Sequence, residues 1–407
     1  MTQTGFKGPA KEIKIVTVVG ARPQFIKAAT VRRAIDGHNR KGHEPKINEI
    51  LIHTGQHYDY GMSEVFFEEM QIPHPMKNLN INSCNHGEMT GRMIIALEAE
   101  LKTHRPDWVL VYGDTNSTLA GALSATKLHI PVAHVEAGLR SYNRRMPEEI
   151  NRVLTDHIAS VLLCPTRNAE ANLEAEGITG GIFQVGDVMY DSFLFYQKQA
   201  MKKSTILAEL GLKPKKYFLA TIHREENTGN SETFLEILNA LKQIGSEDFP
   251  IIFPLHPGTR KVLKRLNLEK RLDSDIRLIS PVSYFDMISL ETHARMILTD
   301  SGGVQKEAYF AGVPCVTLRE ETEWIETTAD GWNHLGGTNA ITIMKAYQAA
   351  TRSVPKRQSN PFGTGNAAQL ILRYLTLASQ KNDPAVRYDC KTVCIRNNKN
   401  KHHQSGL

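Results

Sequence analysis

The chain has 407 residues, 41% of them hydrophobic and 23% charged, which is enough apolar material for two ordinary domains and excludes disorder throughout. Its formal charge is +6, but residues 381–407 hold six Lys/Arg against two Asp/Glu, so most of the excess is a basic tail and the rest is nearly balanced. Without a platform of interleaved stacking aromatics, that tail does not make a nucleic-acid face, and its composition predicts a solvated, disordered segment.

No run approaches the ~20 apolar residues of a membrane span, and Met1-Thr-Gln-Thr-Gly-Phe-Lys7 lacks an apolar core with a cleavage site. These features predict a cytoplasmic protein without a membrane partner. Cysteines 84, 164, 315, 390 and 394 are odd in number and scattered, which predicts reduced thiols. Cys390, Cys394, His402 and His403 do not have the spacing of a standard zinc finger.

Short β-branched runs alternate with helical stretches along the first half: Lys14–Gly20, Glu49–His53, Trp108–Tyr112, Pro131–Val135, Val161–Cys164 and Ile182–Val185. Near-continuous apolar runs of this length predict parallel strands buried on both faces, joined by right-handed crossovers such as the helix around Gly91–Lys102. Met62, Phe66, Phe67 and Met70 at helical spacing read as core. A helical, Lys-rich segment from about Asp191 to Lys216 follows, ending at Pro214. The alternation then restarts with Tyr217–Thr221, Ile251–Phe253, Ile276–Ile279, Met296–Thr299 and Pro314–Leu318. This predicts two doubly wound Rossmann-like domains, 1–186 and 187–360, with a ligand held where strands end, between the domains. Residues 361–380 form a helix expected to pack back on the first domain, and 381–407 form the tail.

Chemistry gathers at the predicted strand ends. Thr299-Asp-Ser-Gly-Gly-Val-Gln-Lys-Glu307 runs from a strand through Ser301, Gly302 and Gly303 into a helix, so free backbone N–H groups and the positive end of the helix dipole meet at one point suited to an anion. It is neither a Walker A loop nor Gly-x-Gly-x-x-Gly. Glu307, one or two turns on, has the reach for ribose hydroxyls. Gly20-Ala-Arg-Pro-Gln-Phe-Ile-Lys27 places Arg22 and Lys27 at the opening of a helix in the first half, a second site suited to phosphate. Asp114, Glu136 and Glu148 follow other strands and are candidates for acid–base work. His223 ends the first strand of the second half, and His53, His57, His134 and His256 also lie at strand ends. None of these histidines is read as a metal ligand.

These segments, together with Gly113-Asp-Thr-Asn-Ser-Thr118, His134-Val-Glu-Ala-Gly-Leu-Arg140 and Pro147-Glu-Glu-Ile-Asn-Arg152, resemble the non-hydrolysing UDP-N-acetylglucosamine 2-epimerases in order and spacing from about residue 13 to 378. The resemblance implies a GT-B fold with an interdomain cleft, a homodimer, a UDP-sugar partner, and no need for NAD or a metal. It implies interconversion of UDP-N-acetylglucosamine and UDP-N-acetylmannosamine, for surface polysaccharide precursors, by loss of UDP to a 2-acetamidoglucal and its re-addition. Asp114, Glu136, Glu148 and His223 are then catalytic. Arg22, Lys27, His256, Tyr284, Ser301, Gly302, Gly303 and Glu307 bind the UDP-sugar. One departure bears on substrate: many such enzymes have Thr-Glu-Arg-Pro-Glu where this chain has Thr322-Glu-Trp-Ile-Glu326. Trp324 is thus a sugar-contact candidate, and the chain resembles the branch acting on UDP-2,3-diacetamido-2,3-dideoxyglucuronate. The Gln56-His57 region resembles the second UDP-sugar site of some relatives. A GT-B glycosyltransferase, which uses the same fold and UDP site, is the rival enzyme. A hydrolysing epimerase and a nucleotide-sugar sensor are further alternatives.

Overall fold

The computed structural model describes residues 12–56, 75–269, 272, 275–329, 331–352 and 360–380. The proposed core residues Met62, Phe66, Phe67 and Met70, as well as His57 and the basic tail with its two cysteines and two histidines, lie outside them. The chain divides into two compact units, one ending at Ser192 and resuming at Pro361, the other Phe193–Asn360.

The first unit contains β1 (Ile13–Val19), α1 (Arg22–Arg40), β2 (Ile47–His53), β3 (Lys77–Asn78), α2 (His86–His104), β4 (Trp108–Tyr112), α3 (Asn116–Lys127), β5 (Val132–Val135), α4 (Pro147–Ile158), β6 (Val161–Cys164), α5 (Arg167–Ala175) and β7 (Ile182–Gln184). Helix α6 (Val188–Lys203) then carries the chain from one unit to the other. The second unit continues with α7 (Ile206–Glu209), β8 (Phe218–Thr221), α8 (Glu225–Thr228), α9 (Ser231–Ile244), β9 (Ile251–Pro254), α10 (Pro257–Arg265), β10 (Ile276–Ile279), α11 (Tyr284–His293), β11 (Met296–Thr299), α12 (Gly302–Ala311), β12 (Cys315–Thr317), α13 (Ile325–Ala329), β13 (Asn333–Leu335) and α14 (Ala340–Arg352). The last described helix, α15 (Ala367–Gln380), belongs to the first unit.

Each unit is built on one parallel sheet, ordered β3-β2-β1-β4-β5-β6-β7 in the first and β10-β9-β8-β11-β12-β13 in the second. Burial on both faces explains the unbroken apolar runs. Along β8, Phe218 and Ala220 enter one apolar cluster while Leu219 enters the cluster on the other face. The short strands β3 and β13 were not expected, because two or three half-polar residues at a sheet edge carry no apolar run. The helix expected to reach Lys216 instead stops at Lys203, and only the single turn α7 follows before β8.

Helix α15 docks in the first unit through buried Ala367, Ala368, Ile371, Leu372 and Leu375. Ser379 Oγ accepts from the Trp108 indole at 2.8 Å, Asp191 Oδ2 accepts from the Ala368 N–H at 2.9 Å, and Tyr374 stacks on Phe183 with centroids 4.0 Å apart.

In each sheet the direction of winding reverses once, between β1 and β4 in the first and between β8 and β11 in the second. Loops leaving the carboxyl ends of such neighbouring strands diverge to opposite faces and leave a crevice. The four loops at these two points contain Arg22, Asp114, His223 and Ser301-Gly302-Gly303.

Candidate functional site

Three strand-end segments of the first unit converge on a buried ion pair. Lys27 Nζ on α1 lies 2.7 Å from Glu136 Oε1, and both side chains are 8% exposed. Glu136 follows β5 with φ +71°, a left-handed conformation disfavoured for a residue with a Cβ, and the N–H groups of Glu136 and Ala137 are bonded to the Leu163 carbonyl of β6. Gly113 lies beside both partners: a Cβ placed there would be 3.4 Å from Lys27 Nζ and 3.5 Å from Glu136 Oε1. Lys27, expected to stand open to phosphate, is therefore engaged by a carboxylate. Arg22 opens α1, where Gln24 Oε1 accepts from the Gly20 and Ala21 N–H groups at 2.7 and 3.0 Å. The same amide donates to the Tyr112 carbonyl at the end of β4, which ties the two loops together. Gly20 is required by space, since a Cβ there would fall 1.9 Å from Ser117 Oγ.

Asp114 stands one residue beyond Gly113 and is held from α4. Its carboxylate accepts from Arg152, and its backbone carbonyl accepts from Asn151 Nδ2 at 2.9 Å. Arg152 also donates to Glu149 at 2.9 Å, and Glu149 accepts the Ser141 and Tyr142 N–H groups, both at 2.9 Å. Helix α4 is inverted for a surface helix: Glu149, Arg152, Thr155 and Asp156 are buried, while Ile150 and Leu154 are exposed. Glu148, expected in the catalytic set, lies on the exposed side of its first turn; the neighbouring acid, Glu149, is the buried one.

Beneath this layer His134 of β5 bridges strand and helix, with Nε2 2.7 Å from the Gly113 carbonyl and Nδ1 2.7 Å from Asp156. Burial works against the charge of Asp156, but His134 and Arg140 hold its carboxyl below the usual range. Burial likewise opposes the Arg140 charge, and Glu176 and Asp156 more than offset it. The second-site candidate Gln56 accepts from the N–H and hydroxyl of Ser117 at 3.1 and 2.7 Å.

In the second unit the β8 and β11 ends are locked by Asp300, a fully buried carboxylate that accepts the N–H groups of His223 and Arg224 and the Asn227 amide at 3.0–3.1 Å. The His223 ring, 40% exposed, places Nδ1 3.5 Å from Asp300, and His256 lies beside it with centroids 5.7 Å apart. His256 caps α10, its Nδ1 accepting from the Gly258 N–H at 3.2 Å. Ser301 caps α12 in the same way, accepting from the Val304 N–H at 3.4 Å. A Cβ on Gly302 would lie 2.7 Å from Glu323 Oε1, so glycine lets that carboxylate approach the first helical position; a Cβ on Gly303 would make only an ordinary contact, 3.8 Å from Ser301 Oγ. In the second turn of α12, Glu307 accepts from the Tyr284 hydroxyl at 3.1 Å. Trp324, expected to meet a sugar, is 3% exposed, and the buried Lys306 ammonium lies 3.7 Å from its ring centroid. The first unit thus brings Lys27, Gly113 and Glu136 together, the second brings His223 to His256 and Tyr284 to Glu307, and Glu148 is exposed.

The family model for UDP-N-acetylglucosamine 2-epimerase matches residues 40–376. The chain belongs to that family. As an epimerase it is an isomerase, and its two parallel α/β units are those of the GT-B fold. It is 53% identical to a UDP-N-acetylglucosamine 2-epimerase homolog of Methanococcus maripaludis over 89% of this chain and 99% of that one. It is 46% identical, with the same coverage, to the UDP-2,3-diacetamido-2,3-dideoxy-D-glucuronate 2-epimerase of Pseudomonas aeruginosa. Among solved structures, the UDP-GlcNAc 2-epimerase of Methanocaldococcus jannaschii, in complex with UDP-GlcNAc and UDP, superposes with a TM-score of 0.81 at 45% identity, covering 90% of this chain and all of that one.

Sequence reasoning missed Glu149, Arg152 and Asp156, the buried polar face of α4, and the Asp300 and Lys306 contacts of this epimerase. The i, i+3, i+7 spacing puts the first three on one helical face opposite Ile150 and Leu154, but by the usual rule the apolar face turns inward, so the pattern gave no signal of their burial.

Proposed function

We propose that this epimerase interconverts UDP-N-acetylglucosamine and UDP-N-acetylmannosamine by elimination and re-addition of UDP. A base removes the C2 hydrogen, and the electron pair of that bond forms C1=C2 as the C1–oxygen bond to UDP breaks. An acid then returns a proton to C2 from the opposite face while a diphosphate oxygen re-forms the bond to C1. The sequence is redox-neutral, so it calls for no nicotinamide, and we assign no metal to it.

The observation that carries this reading is the buried Lys27–Glu136 pair beside Gly113, with the Arg152-held Asp114 the next residue in the chain, and in the second unit a capped Ser-Gly-Gly helix start. Asp114 and Glu136 are the proposed acid–base pair, with Glu148 a further candidate. Lys27 stabilises Glu136, Arg22 and the Ser301-Gly302-Gly303 turn take the diphosphate, Glu307 takes the ribose, and His223 with His256 assists the leaving group. We place the enzyme in the cytoplasm as a homodimer, making precursors of surface polysaccharide. Incubating the purified enzyme with UDP-N-acetylglucosamine and separating the nucleotide sugars tests the reading. UDP-N-acetylmannosamine is expected; UDP with free amino sugar instead indicates hydrolysis, and sugar transfer to an added acceptor indicates a glycosyltransferase.

A second reading is favoured by Trp324 and Lys306, an indole beneath a buried ammonium where many relatives have arginine. The same chemistry on UDP-2,3-diacetamido-2,3-dideoxyglucuronate, the substrate in the name of the P. aeruginosa relative, fits that exchange. Turnover of the glucuronate alone decides for it.

A further inference from the structure

Helix α11 carries a carboxyl group that the reading above leaves without a task. Glu291 lies seven residues after Tyr284, two turns along the same helical face, and is fully buried. Among the described residues neither of its oxygens meets an amide, hydroxyl or ammonium donor. The polar group it faces is the carboxyl of Glu307 on α12. Burial first, and the charge of Glu307 second, push the Glu291 carboxyl well above the ordinary carboxylate range.

Among the described residues, no cation acts on Glu291 to compensate. Tyr217 donates its hydroxyl to the Leu290 carbonyl at 2.6 Å, and the Cys315 thiol of β12 is pushed up to about 12 by burial, with Glu291 adding to the effect. The Tyr217 hydroxyl is raised for the same two reasons. Two buried carboxylates side by side repel strongly, and the arrangement is stable when one keeps its proton and donates it to the other. Tyr284 supplies a second donor to Glu307, at 3.1 Å from Oε1.

We infer that Glu291 positions Glu307: the two buried carboxyl groups share one hydrogen, and together with the Tyr284 hydroxyl this fixes Glu307 to accept the vicinal hydroxyls of a substrate ribose. Glu291 does not touch the nucleotide; it acts through Glu307. The inference rests on Glu307 being the ribose contact, so its test separates the two.

Binding of UDP and of 2′,3′-dideoxyuridine diphosphate is measured by calorimetry for the wild type, Glu291→Gln and Glu291→Met. The wild type is expected to prefer UDP by about tenfold or more, the scale of hydrogen bonds to a charged acceptor. Glu291→Gln keeps an N–H to donate and is expected to keep that ratio. Glu291→Met has similar length and no donor, and its ratio falls toward one while its affinity for the dideoxy compound stays near the wild-type value. A wild-type ratio in the Met variant, or a collapsed ratio in the Gln variant, overturns the role of Glu291 while leaving the ribose assignment in place. A wild type that does not distinguish the two nucleotides overturns the ribose assignment of Glu307 and the inference with it.

Discussion

The Lys27–Glu136 pair makes a stability prediction that separates structure from catalysis. With the charges 2.7 Å apart and both side chains 8% exposed, neither is well solvated, and removing one partner takes the opposite charge away from a buried ion. Such a truncation costs ~3–5 kcal/mol. Glutamine at 136 keeps an oxygen to accept from Lys27, so Glu136→Gln should fall at the lower end, about 3 kcal/mol. For a unit of this size that is a fall of roughly 6–12 °C in melting temperature. Lys27→Met alone should cost a similar amount by leaving Glu136 buried and charged. The double variant removes both charges and should lose only about 1 kcal/mol, a coupling of several kcal/mol between the sites. Denaturant unfolding followed through the first unit's transition, with turnover measured in parallel, is the assay. The double variant should be stable and inactive. Additive losses would refute the buried pair as the organising contact, and near-normal turnover in the double variant would remove Glu136 from the chemistry.

Other expectations follow from single contacts. Asp114→Asn should reduce turnover at least ~100-fold, the scale of a lost acid–base group, while UDP still binds by calorimetry; near-normal turnover removes its assignment. Gly302→Ala forces a Cβ to 2.7 Å from Glu323 Oε1, displacing a carboxylate paired with Arg319, and should weaken UDP binding several-fold; an unchanged dissociation constant contradicts the anion role of this turn. Asp191 is raised to about 6, first by burial and against the pull of the Ala368 N–H, so its protonated form favours the fold. Its contribution is present below pH ~4 and lost as pH rises through about 6, amounting to ~3 kcal/mol at most. Asp191→Asn should therefore gain stability relative to the wild type between pH 4 and 7 in urea melts; parallel curves contradict it. Cys164 and Cys315 are buried free thiols, so iodoacetamide under native conditions should modify Cys84 and spare both, read by peptide mass mapping.

Much of the architecture was legible because parallel strands covered on both faces leave long apolar runs; β4, β6, β10 and β11 have the bounds those runs suggest. The site was legible for a related reason. Polar and glycine-rich residues interrupt such a run at its carboxyl end, next to a switch point, so Asp114, His223 and Ser301-Gly302-Gly303 stood out as candidates. What the runs could not give was helix phase. Glu148 and Glu149 are adjacent acids, and only the packing of α4 through Arg152 and Asp156 decides which turns inward. Nor could they reveal that Lys27 meets Glu136 across 109 residues, since that contact depends on the order in which strands line up in the sheet. The strands β3 and β13 left no pattern because each is a short, half-polar edge.

Proton NMR of the enzyme with UDP-N-acetylglucosamine in heavy water tests the central claim most directly. Elimination of UDP across C1–C2 and its return to C1 with protonation at C2 predict deuterium at C2 in both sugars as the UDP-N-acetylmannosamine signal grows, and the same exchange on the diacetamido-glucuronate if that is the substrate. Epimerisation of either sugar with the C2 hydrogen retained, or no exchange on both, contradicts the account.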